Sequence, residues 1–223
     1  MFFKNAVGLL PLKSDVASLA VIGPTADRIR YMFGDYAYTS MADLMDGGEQ
    51  PPDKTQYLEK LPPMVSVLET VRGQGAPTTV VRYVPRCDYR AESREGFAEA
   101  VELAGSCTIA VLVMGGRLAQ MEMSTTSECR DPADLGLPSV QEELIEAVLA
   151  TGTAVVLVLV DGRPAAVPEL IEQIPAASCP PPSRARWGRC RFITRTSLWR
   201  GARNRRITMW SKAPSRCLRL GMG

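Results

Sequence analysis

Residues 111–144, VLVMGGRLAQMEMSTTSECRDPADLGLPSVQEEL, decide the fold. The apolar run from Ile109 to Met114 stops at Gly115-Gly116, and a polar segment of about twenty residues follows, closing at Leu137-Pro138. That segment carries Glu122, Glu128, Arg130, Asp131 and Asp134. A helical pattern starts at Ser139. Ser139 and Glu142 have the S-x-x-E spacing of a capping box, and Val140, Leu144, Ile145, Val148 and Leu149 recur at helical intervals. A strand, a long acid-bearing loop and a helix in that order put carboxylates at the carboxyl end of a sheet strand. Open α/β sheets bind their ligands at that edge. A loop this long without secondary structure of its own is uncommon, and is usually functional or disordered.

The same alternation extends to both sides. Leu19 to Gly23 reads as a short buried parallel strand with a Gly-Pro stop, and TTVVRYV (78–84) as a second strand. Residues 107–114 give the third. The fourth, AVVLVLV (154–160), is a continuous β-branched run, as expected of a strand covered on both faces. Between them lie helical patterns at SVLETVRG (66–73), with Gly73 as its stop, and at residues 92–103. A third helix runs from Ser139 to Gly152 and a short one covers 167–174, while residues 33–63 read as a polar surface loop. Strands alternating with helices specify a parallel-sheet α/β/α sandwich. A fifth strand is due after residue 174, but the sequence there becomes ASCPPPSRARWGRC. The sandwich is therefore expected to be incomplete, with its final strand or strands lost. The first strand leads into GPTADR, which lacks the GxGxxG of a dinucleotide loop.

Composition divides the chain in two. All 24 acidic residues fall before Cys179, together with 14 of the 26 Lys and Arg. The other 12 basic residues and all three tryptophans lie in 179–223. Histidine is absent, which excludes Ser-His-Asp and Cys-His catalysis and His-containing zinc sites. The six cysteines have no CxxC spacing, so neither a metal cluster nor a redox pair is expected, and no cofactor is called for. The first dozen residues lack the pattern of a signal peptide, and no apolar run reaches the roughly 18 residues that span a bilayer. A soluble protein of unspecified compartment, with no membrane contact, is the expectation.

The order of motifs FKNAVGLLPL (3–12), LAVIGPTAD (19–27), GDYAY (34–38), VLVMGGR (111–117) and ECRDPADLGLPSVQEELIEAVLATGTAVVLVLVDGRP (128–164) resembles the C-terminal domain of glycoside hydrolase family 3. That family includes β-glucosidases and β-xylosidases. The resemblance covers about residues 3–176 and implies an α/β sandwich that follows a TIM-like barrel. In such enzymes the barrel carries the nucleophilic Asp and the sandwich lends an acid/base carboxylate on a long loop. By resemblance Glu128, just before R-D-x-x-D-L-x-L-P, is the candidate acid/base, with Glu122 as the fallback on the same loop. Arg130 and Asp131 are assigned to ordering the loop through an ion pair. Cys129, Pro132, Ser139, Thr108 and Pro85-Arg86 depart from the residues usual in the family.

The resemblance thus implies a glycoside hydrolase acting on β-linked glucosides or xylosides, of which residues 1–178 are the sandwich half. No nucleophile-bearing barrel lies in the resembling sequence, so the isolated chain is expected to be inactive and the barrel half to be its partner. The alternative is a non-catalytic α/β module that binds sugar or a partner chain. Residues 179–223 form an Arg-rich tail, expected to be frameshifted or disordered. Arg, Pro, Ser, Trp and Cys together are what a GC-rich gene yields out of frame, and Trp187-Gly188, TGG-GGN, shifted by one base begins with Gly. A nucleic-acid arm is the weaker reading of the same arginines.

Overall fold

The computed structural model describes residues 2–13, 15–32, 65–90, 92–117, 124–126, 132–161 and 165–178. Six strands form one sheet: β1 (Phe2–Asn5), β2 (Ser18–Ile22), β3 (Val80–Val84), β4 (Ile109–Met114), β5 (Ala154–Leu159) and β6 (Ala176–Ser178). Their order is β1-β6-β5-β4-β2-β3, parallel throughout except for β1, which runs antiparallel to β6. The helices are α1 (Val67–Gln74), α2 (Phe97–Gly105), α3 (Gln141–Leu149) and α4 (Pro168–Gln173). A 3-10 turn covers Ile29–Met32. The α/β sandwich expected from the alternation of strands and helices is the architecture observed.

Strand periodicity distributes the core between two faces, because successive side chains point to opposite sides of a sheet. Ala20, Ile22, Ala110, Leu112, Met114 and Leu157 pack with Ala100 and Ala104 of α2, Leu144, Ile145 and Val148 of α3, and Leu170 of α4. The alternate residues, Leu19, Val21, Val111, Val113, Val156 and Val158, meet Val67, Leu68 and Val71 of α1 with Leu10 and Leu12. The strands β4 and β5 lie in the middle of the sheet and are buried on both faces. Hence their unbroken apolar sequences.

Four expectations need correction. The strand expected to be lost after residue 174 is present: β6 pairs in parallel with β5, Ala176 opposite Val156 and Ser178 opposite Val158. Its three small residues carry no apolar run, and its antiparallel neighbour β1 comes from the other end of the chain. The Ser139–Glu142 capping box does not form. Ser139 has a left-handed φ of 60°, Val140 occupies the N-cap without a side-chain bond, and the Glu142 carboxylate accepts from Leu137 N at 2.7 Å instead. A reciprocal box is found at α1, where Ser66 Oγ accepts from Glu69 N at 3.1 Å and Glu69 Oε2 accepts from Ser66 N at 2.7 Å. That helix runs through Gly73 and is capped at Gly75. Finally, α2 begins at Phe97 rather than 92, because Gly96 before it is left-handed and Arg94 is held by both Glu143 carboxylate oxygens, each at 2.6 Å.

Candidate functional site

At the carboxyl edge of the sheet, β4 passes directly into the acidic segment. Gly115 has φ 138°, and a Cβ there would stand 2.0 Å from the Val160 carbonyl oxygen, so the chain turns across the end of β5 in contact with its backbone. Gly23 after β2 repeats the arrangement against Val113 O, also at 2.0 Å, with φ 135°. The buried Thr25 hydroxyl then donates to Val113 O at 2.8 Å. Only glycine fits such a close crossing of two backbones.

The first root of the segment is fastened by three side chains. The Gln141 Oε1 accepts from Gly115 N at 2.8 Å and its Nε2 donates to Gly115 O at 2.9 Å. Gly116 N donates to Asp161 Oδ2 at 2.9 Å. Arg117 N donates to Thr125 Oγ1 at 3.0 Å, and Thr125 N returns a bond to Arg117 O at 2.9 Å. Ser124 and Thr126 beside it are buried. At the second root Asp134 Oδ1 accepts from Gly136 N at 2.8 Å and Ala166 N donates to Leu135 O at 2.8 Å, while Leu137 is buried and tied to Glu142. The neighbouring Glu143 carboxyl is held below the usual carboxylate range by its hydrogen bonds from Arg94.

Of the acids singled out in the sequence, Glu122 and Glu128 lie outside the described residues, as do Arg130 and Asp131. Asp134 is described, and it is an exposed turn residue serving Gly136. Sequence reasoning misses the residues that fasten the segment, Gln141, Glu142 and Asp161. A signal for Gln141 is available: positions 141, 144, 145 and 148 share one helix face, which places an amide among buried aliphatics. Among the described residues no group of three or more His, Cys, Asp or Glu could hold a metal ion, and no helix is long and apolar enough to cross a membrane.

A mostly parallel α/β sheet whose strand β4 passes into an acidic segment at the carboxyl edge has the layout of the open α/β class, in which that edge is where ligands bind. Residues 1–178 match the family described as Glycosyl hydrolase family 3 C-terminal domain, and the chain belongs to that family. It is similar to a β-xylosidase of Formosa agariphila, 36% identical over 177 residues, covering 79% of this chain and 22% of the relative. A probable β-D-xylosidase 7 of Arabidopsis thaliana is 34% identical over 166 residues, covering 74% and 18%. Among solved structures, a β-glucosidase from Erythrobacter marinus superposes with a TM-score of 0.59 at 26% identity, covering 80% of this chain and 24% of that one. The chain thus spans about a fifth of the length of the curated relatives it matches.

Proposed function

We propose that this chain is the acid/base half of a retaining β-glycosidase, acting on β-xylosides or β-glucosides, with Glu128 as the acid/base. The observation that carries the reading is the segment between Gly115 and Leu137. It leaves the carboxyl edge of β4 between two fastened roots and bears Glu122 and Glu128, in a chain of this family. Retention requires a second carboxylate about 5–5.5 Å from the first, acting as nucleophile. A TIM-like barrel outside residues 1–178 supplies it in this reading, and residues 1–178 and 179–223 are separate units. Glu128 protonates the departing glycosidic oxygen, then as carboxylate takes a proton from the water that releases the sugar. Enclosure by sugar and the neighbouring carboxylate keeps it protonated before the first step. The xyloside side is favoured because the relatives that are at least 30% identical over 73–79% of this chain are named as β-xylosidases.

The test is reconstitution. The 223-residue chain, mixed or fused with the barrel half of the Formosa β-xylosidase, is assayed on aryl β-xylosides. Turnover is expected from the combination and not from this chain alone. Glu128→Gln should lower the rate on poor leaving groups by about 10²–10⁴-fold. It should largely spare formation of the glycosyl intermediate from dinitrophenyl xyloside, and azide should restore release as the glycosyl azide. Were Glu122→Gln to show that signature and Glu128→Gln not, the assignment would pass to Glu122. Turnover by the unaccompanied chain would overturn the need for a second half.

A further inference from the structure

The ladder between β4 and β5 ends where Val160 N donates to Met114 O at 2.7 Å. The next peptide groups belong to Gly115, which is buried and pressed against Val160. A buried N–H and C=O of one residue must both find partners. Both find the same side chain. Gln141 is 0% exposed, and its carboxamide exchanges two hydrogen bonds with Gly115, the pattern of a hydrogen-bonded antiparallel residue pair with a side chain in place of a strand. Glutamine suits the position because its planar amide carries a donor and an acceptor on neighbouring atoms. The following residue, Glu142, accepts from Leu137 N, where the acidic segment rejoins the fold.

We infer that Gln141 and Glu142 are positioning residues: two consecutive residues of α3 fix where the acidic segment leaves β4 and where it returns, and so where its acid/base carboxylate stands. The catalytic half of this inference rests on the reading of the segment given under Proposed function. The geometric half does not. Gln141 bonds backbone rather than substrate, so its replacement acts through the direction of the chain at Gly115. The charge of the group at 141 also matters. An ionised carboxylate would confront Gly115 O with a second acceptor, and the repulsion between the oxygens would draw it away from Gly115 N as well, whereas a protonated carboxyl would restore the missing donor.

Gln141→Glu therefore gives a pH-switchable clamp. Amide hydrogen exchange of the ¹⁵N-labelled full chain, at pH 5 and pH 8, measures protection at Gly115, Thr125 and Leu137 against Val111 and Val156 in the sheet. In Gln141→Glu, Gly115 and Thr125 are expected to lose about tenfold or more of their protection at pH 8 and to regain it at pH 5, with Val111 and Val156 unmoved. In Glu142→Ala, which removes the acceptor, the loss is expected at Leu137 alone. Joined to the barrel half, Gln141→Glu should lose kcat on poor leaving groups along the same pH titration, with KM little changed and the dinitrophenyl substrate spared. Equal protection in wild type and Gln141→Glu at pH 8 would overturn the clamp. So would loss of protection at Val111 in step with Gly115, which marks a packing role only. An intact clamp signature beside an inactive wild-type reconstitution would instead overturn the acid/base reading of the segment.

Discussion

Two residues without side chains shape the edge from which the acidic segment departs. Gly115 and Gly23 hold φ near 138° and 135° and let one strand end cross the backbone of its neighbour. Their obstacle is a backbone carbonyl oxygen at the carboxyl end of a central strand, which cannot swing aside as a flexible side chain would. Gly115→Ala therefore combines backbone strain with a displacement of β5, and should cost about 3 kcal/mol or more of stability. Gly73 provides the contrast. It lies in the last turn of α1, and a methyl group added there would meet nothing within 4 Å, so Gly73→Ala should stabilise by about 0.5–1 kcal/mol. Urea midpoints of the two variants, measured side by side, decide both; a Gly115→Ala variant as stable as wild type would contradict the close crossing.

At the scale of elements, legibility follows the length of the apolar or β-branched run. The middle strands announce themselves because both faces are covered, so IAVLVM and AVVLVL tolerate no polar interruption. The two strands at the β1 end of the sheet do not: β6 is Ala-Ala-Ser, and β1 takes its place by pairing antiparallel with a strand more than 170 positions away in sequence. Local pattern cannot report such a partner. For the site, the segment and its acids are legible as a polar interruption between strand and helix, while its fastenings are not. The S-x-x-E spacing suggests a cap, but the carboxylate holds Leu137, a tertiary choice made outside the helix. Another such tie joins β1 to α4. Lys4 Nζ donates to Ile171 O at 2.9 Å and Glu172 O at 2.6 Å, placing a cation at the carboxyl end of the helix. Lys4→Met should lower stability by about 1 kcal/mol, and the loss should shrink as salt is added, since attraction to the helix end is screened. Thermal unfolding of both proteins at low and at high salt checks it; a salt-independent difference would assign the effect to packing of the lysine stem.

The whole molecule is organised by where residues 1–178 begin and end. Phe2 stands opposite Ser178 in the register of β1 and β6, so both limits of the family match meet at one edge of the sheet. The composition changes at the same place, from 24 acidic residues before Cys179 to none after it. If fold and composition share that boundary, cutting there removes charge without removing core. A chain ended after Ser178 should unfold cooperatively with the midpoint of the full chain. Its affinity for a polyanion such as heparin should fall, because the 12 basic residues of 179–223 go with the cut and leave an excess of acids. Differential scanning calorimetry and the salt needed for elution from heparin read the two effects separately. A midpoint lowered by more than about 4 °C, as expected when about 1 kcal/mol is lost from a domain of this size, would make residues beyond 178 part of the fold. An unchanged midpoint with unchanged heparin elution would instead place the polyanion contacts on the sandwich, whose own charge is net acidic. The expected pair of results, equal stability and weaker polyanion binding, makes residues 1–178 a folding unit from which the basic residues are separable.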